Sequence, residues 1–223
     1  YKRQIVIGLA LQVVVGYVTD AVLSLLPEVA ADYSELVEET GMGDTSYLAV
    51  LTTVLGAPFC EELLVRGIIF EFSLRAFNPQ CRPLWKRRRR ASAQDGAMVP
   101  WAAPSTWGIA AAIVLQAAIF GFMHMNWVQG VYASCLGVVL AFVYERTRSI
   151  LGAVLFHMFF NCSSYLLELL GDVLPDGVLG LVYLIAMAVS VVAFIPLLRK
   201  VARLFPVPKK KLQKREETSM IQE

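Results

Sequence analysis

Six residues of this chain combine acid–base groups with helical spacing in places where lipid should be. Glu61, Glu62 and Arg66 fall within one apolar stretch, His124 ends another, and His157 and Asn161 lie within a third. An ionisable group at that depth typically costs ~2.5–3.5 kcal/mol to insert, so it persists where it is paired or has a function. Glu62 and Arg66 are four apart and share a helical face, which predicts an ion pair. Glu61 lies about 100° further round the helix and five residues from Arg66, so it is the less easily neutralised carboxylate. The spacing therefore assigns Glu62 and Arg66 to structure and Glu61 to chemistry. The chain has two histidines in all, His124 and His157. His157 and Asn161 are neighbours at i and i+4. Carboxylate, imidazole and amide groups gathered inside a membrane amount to a candidate site for acid–base chemistry.

The elements that must position these groups are apolar helices. Of 223 residues 57% are hydrophobic and only 17% charged, whereas a soluble domain carries about 25% charge. Six runs approach the roughly 20 residues that span a bilayer core: Ile5–Leu26, Tyr47–Phe77, Trp107–Met123, Trp127–Tyr144, Ile150–Leu170 and Val178–Leu198. No period-2 alternation marks a barrel, so the fold class is all-α, a polytopic transmembrane bundle of about six spans. Pro58, just ahead of the two glutamates, breaks the ladder of its helix and frees backbone carbonyls there. Tyr1–Leu26 lacks a signal-peptide cleavage site and reads as a span. The chain begins at Tyr1 rather than Met, as a fragment with earlier spans removed would.

Charge sets the orientation. Lys2 and Arg3, the run Lys86–Arg90 with Arg82, Arg146 with Arg148, and the tail from Lys209 to Arg215 fall on one side; the stretch from Glu28 to Asp44 holds six acids and no base. Both termini are thus expected in the cytoplasm, in the plasma membrane of a prokaryote, with Arg66 the exception to the positive-inside pattern. The basic run reads as an anchor toward anionic lipid, not as a nucleic-acid patch, because no aromatic residue interleaves it. Cys60, Cys81, Cys135 and Cys162 form no CxxC pair, and Cys60 in apolar surroundings reads as an inert thiol. Asp20 is expected to reach water, and Glu71 to snorkel toward the interface or pair with Arg75 at i+4. One domain covers 1–208, with a motif core at 47–165, and 209–223 form a basic disordered tail.

Taken together, Glu61-Glu62-Leu-Leu-Val-Arg66, Phe120-Gly-Phe-Met-His124 and His157-Met-Phe-Phe-Asn161 resemble the EExxxR, FxxxH and HxxxN motifs of the CPBP family. That family contains the CAAX-processing endopeptidases and the bacteriocin-processing and immunity (Abi) membrane proteins. The resemblance covers roughly 47–165, and the short chain looks more like the prokaryotic branch. It implies an intramembrane endopeptidase acting on a membrane-associated peptide or protein, of the CAAX type or the bacteriocin-leader type. Carried over by motif, Glu61 with His124 would activate water, while His157 and Asn161 would stabilise the oxyanion. A carboxylate at low dielectric suits a general base, and a neutral imidazole and an amide both offer N–H donors.

The reading is metal-free. Its alternative is zinc held by Glu61, His124 and His157, a two-histidine, one-carboxylate set; no HExxH pair occurs, and Asn161 is a poor zinc ligand. Two other functions use the same residues: a non-catalytic immunity or scaffold protein, and a transporter, for which the repeated halves are not visible. The orientation raises one conflict, since it puts Glu61 near mid-membrane, His157 about 10 Å from the inner boundary and His124 toward the outer side. A single site requires the motifs to prevail over those boundaries.

Overall fold

The computed structural model describes residues 2–41, 44–79, 104–147 and 149–204, and these are helical throughout their ordered elements. In chain order they are α1 (Lys2–Ser24), α2 (Pro27–Thr40), α3 (Tyr47–Phe77), α4 (Thr106–Phe122), α5 (Trp127–Thr147), α6 (Ile150–Val173) and α7 (Asp176–Leu204). The six expected runs are all helices, with ends moved by a few residues. Four of them, α1, α3, α5 and α6, are long and apolar enough to cross a membrane; α4 and the 177–192 part of α7 are shorter apolar helices. Lipid accounts for large apolar side chains left on the outer surface, among them Val114, Phe122 and Val131. Arg82, the run Lys86–Arg90, Cys81, Arg148, the boundary expected at 208 and the 209–223 tail lie outside the described residues. By contacts the chain divides into Tyr1–Ser190, which holds every candidate site residue, and Val191–Glu223.

One element departs from expectation. The acidic first loop contains α2, opened by Pro27 in its first turn and closed by Gly41 in the left-handed conformation at φ 66°. Proline tolerates that first position because its missing N–H would have no helical partner, and glycine takes the left-handed cap without a Cβ penalty.

Small residues bring the helices together. A Cβ on Gly8 would meet the carbonyl oxygen of Phe156, which marks the close crossing of α1 and α6. Ser163 Oγ donates to Leu9 O at 2.9 Å across the same crossing. At the α4–α5 crossing a Cβ on Gly121 would strike Ser134 and the carbonyl of Gly130. In lipid such contacts supply packing where no hydrophobic difference between helix and solvent exists. Gln116 Nε2 donates to Gly137 O at 2.9 Å within this interface.

Helix α3 meets α4 through a clasp. Asn78 Oδ1 accepts from Ser105 N at 2.8 Å and from Ser105 Oγ at 3.0 Å. Asn78 Nδ2 in turn donates to Leu74 O at 3.0 Å. Ser105 also caps α4, accepting from Gly108 N at 3.0 Å. Glu71 is buried and accepts from the Tyr144 hydroxyl at 3.4 Å, so it faces α5 and does not snorkel outward.

Candidate active site

Helix α3 is interrupted by π turns on either side of the glutamates. Ala57–Glu62 is α-helical, but π turns flank it at Thr52–Gly56 and Leu63–Ile69. The first of these turns runs into Pro58. In the first π turn Ala57 N–H bonds to Thr52 O, five residues back. The next N–H in that ladder would bond to Thr53 O, and residue 58 is a proline with no N–H to give. Asn161 Nδ2 takes the orphaned carbonyl, donating to Thr53 O at 2.9 Å. The expected freed carbonyl is therefore real, and it fixes the amide of the third motif from another helix. Single-turn π segments recur at functional sites for this kind of reason.

Glu62 and Arg66 form the expected pair, Nη1 to Oε1 at 2.8 Å, with both side chains fully buried. Glu62 does more than neutralise Arg66. The same Oε1 lies 3.0 Å from His157 Nδ1, a contact across 95 residues that spacing did not disclose. An oxygen that already accepts from a guanidinium accepts here too, so Nδ1 carries the proton. A neutral His157 would then spend its single N–H on Glu62. Its Nε2 lies 3.8 Å from Glu61 Oε2, beyond hydrogen-bond reach but within range of an ion pair.

His124 stands in a tight turn just beyond α4. Its Nδ1 donates to Phe120 O at 2.9 Å, which leaves Nε2 as the free ring nitrogen. Met125 next to it holds φ 59°, a left-handed backbone that a non-glycine side chain enters at some cost. Asn126 then starts α5, accepting from Gln129 N at 2.7 Å through its side chain. The Phe120 ring is shared by the whole cluster: Arg66 lies 4.6 Å over its face, His124 meets it edge-on at 4.9 Å and His157 at 5.9 Å. The phenylalanine of the second motif thus packs three of the ionisable groups at once, although the sequence offered it only as a motif letter.

Glu61, His124, His157 and Asn161 all line one cavity of about 410 Å³, joined by Thr53, Tyr33, Gln129, Tyr132 and Glu168 among others. The residues expected at three depths line this one cavity. Helix α3 has 31 residues, about 46 Å at ~1.5 Å per residue, so its midpoint need not be the bilayer's. Helix α4 has 17, about 25 Å, less than the ~30 Å hydrocarbon core, so His124 at its end remains within the bundle. Cys60 is exposed and is not part of the cavity wall, and Cys135 is exposed as well. Asp20 is exposed and lines a separate cavity of about 500 Å³. Among the described residues no three His, Cys, Asp or Glu side chains come together as a metal ion requires. Glu61, His124 and His157 share a cavity without meeting at one point as zinc ligands would.

A family model described as type II CAAX prenyl endopeptidase Rce1-like matches residues 43–163. That span covers all three motifs and more than half of the chain. The chain belongs to this family. It is an integral membrane protein and a CAAX-type intramembrane protease, placed to act on membrane-associated substrates. Neither the curated proteins nor the solved structures yield a match.

Proposed function

We propose that this protease cleaves a peptide bond in the Glu61–His124–His157–Asn161 cavity by direct attack of water, without metal. The observation that carries the reading is the convergence of these four side chains, from α3, the α4–α5 turn and α6, on one cavity. Glu61 is the general base, since it is the carboxylate not spent on Arg66. His124 holds the water with its free Nε2. The tetrahedral oxyanion is met by His157 and by the second N–H of Asn161, the first being used on Thr53 O.

Two carboxylates, Glu61 and Glu62, flank the His157 ring while Arg66 supplies one positive charge. The oxyanion role requires an N–H at Nε2, the ring nitrogen on the Glu61 side.

The substrate is a membrane-associated peptide or protein of the CAAX type or the bacteriocin-leader type. The basic residues of the termini and of the second loop support cytoplasmic ends in a prokaryotic plasma membrane. The deciding experiment incubates purified protein in detergent with a library of membrane peptides, farnesylated and unmodified, and maps cleaved bonds by mass spectrometry. Cleavage by wild type and its loss in Glu61→Gln are expected. Wild-type rates in Glu61→Gln reject the site. Stoichiometric zinc in the preparation, with cleavage abolished by chelation, rejects the metal-free mechanism while leaving the residues in place.

A further inference from the structure

Helix α2 has no buried residue, yet Tyr33 and Val37 stand in the wall of the active cavity. Its half-buried positions, Ala30, Tyr33, Leu36 and Val37, recur at helical spacing on one face, and all its acids are exposed. Both ends are joints rather than packed continuations. Leu26 leaves the helical region at φ −130°, ψ 69°, and Gly41 is left-handed. A helix so poorly anchored belongs to the low-stability end of the molecule.

Polar side chains lead from α2 along the cavity wall to the His124 turn. Tyr33, from α2, stands with Tyr132 and Gln129 in the wall of the same cavity, which brings three polar side chains together there. Gln129 Oε1 accepts from Asn126 Nδ2 at 2.7 Å. Asn126 Nδ2 also reaches His124 O at 3.4 Å. The chain thus runs from the cavity's cover to the turn that carries a candidate catalytic imidazole, beside the strained Met125.

We propose that α2 is a lid over the active cavity, and that Tyr33, Tyr132, Gln129 and Asn126 form a latch coupling its closure to the position of His124. Closed, α2 shields the cavity from water and its Tyr33 completes the support of the His124 turn. Open, it admits a substrate segment and leaves that turn slack. Asn126 and Gln129 are positioning residues that act through His124. The catalytic half of this inference rests on the protease reading, and the lid itself does not.

The test uses the full chain in detergent with two readouts that need no substrate. Tyr33→Phe removes one latch hydroxyl and keeps the ring. Amide exchange in α2 is expected to rise roughly three- to tenfold, the population shift one hydrogen bond typically gives, with α1 and α6 unchanged. Unchanged exchange in α2, or an equal rise in all three helices, overturns the lid. Asn126→Asp keeps the helix cap but loses the amide donor. With only two histidines in the chain, selective ¹⁵N labelling without an affinity histidine tag resolves the His124 ring, and both Asn126→Asp and Tyr33→Phe are expected to shift its signals while His157 stays put. Identical His124 spectra overturn the coupling. Where cleavage is measured, Asn126→Asp is expected to lower kcat and leave KM alone. Absence of cleavage in wild type counts against the protease reading, and the lid and latch are then decided by exchange and spectra.

Discussion

Two adjacent glutamates are set to different tasks by 100° of helix. Glu62 points into a fully buried pair with Arg66 and holds His157 by the same oxygen, while Glu61 faces the cavity. Replacing Glu61 by Gln keeps shape and removes a proton acceptor; turnover should fall ~10²–10⁴-fold, with the detergent melting temperature unchanged. Arg66→Ala leaves Glu62 buried without its cation, a loss of typically ~3–5 kcal/mol. Folded yield and thermal stability should drop sharply, and Glu62→Gln with Arg66→Met should recover part of both. Equal melting of Arg66→Ala and wild type would sink the pairing. The i,i+4 partner was legible because helix geometry alone fixes it. The second partner, His157, was not, since nothing local connects positions 95 residues apart.

At the scale of elements, the sequence announced six helices through their apolar length and concealed the seventh. Helix α2 is rich in exposed acids and too polar to be counted as a span, so hydropathy passed over it. Pro58 was legible as a ladder break, but which carbonyl it would orphan, and that Asn161 would claim it, required the π turn. Pro58→Ala tests this directly. It restores an N–H that competes for Thr53 O, so turnover should fall by part of the ~10²–10³ that an oxyanion donor contributes, without loss of stability. Stability and activity thus move apart, as they do not for a simple packing defect. Gly121→Ala makes the opposite forecast. The added methyl strikes backbone at the α4–α5 crossing, an overpacking cost of typically ~1–3 kcal/mol that should appear as a lower melting temperature.

For the whole molecule, the charge pattern assigns sides of a membrane that contacts alone do not reveal. Cysteines placed between Glu28 and Asp44, or at Asp172, should react with an impermeant maleimide from outside intact cells. Cysteines placed among Arg82–Arg90 should react only after permeabilisation; outside labelling there would invert the orientation. The bundle itself was legible because lipid leaves a backbone few choices. The shared cavity of the site was not, because hydropathy does not say how far one helix is shifted along another.

The Asn78–Ser105 clasp has a practical consequence. It ties the end of α3 to the start of α4 by side-chain and backbone hydrogen bonds, so their association does not depend on the peptide that joins them. The segment between is therefore a place to cut. Two separately expressed pieces, divided within residues 80–103, should find one another in the same membrane and restore the melting behaviour of the intact chain. A division inside α4 should not. Activity that returns only when both pieces are present would give a split reporter of membrane-protein encounter, built around a single asparagine.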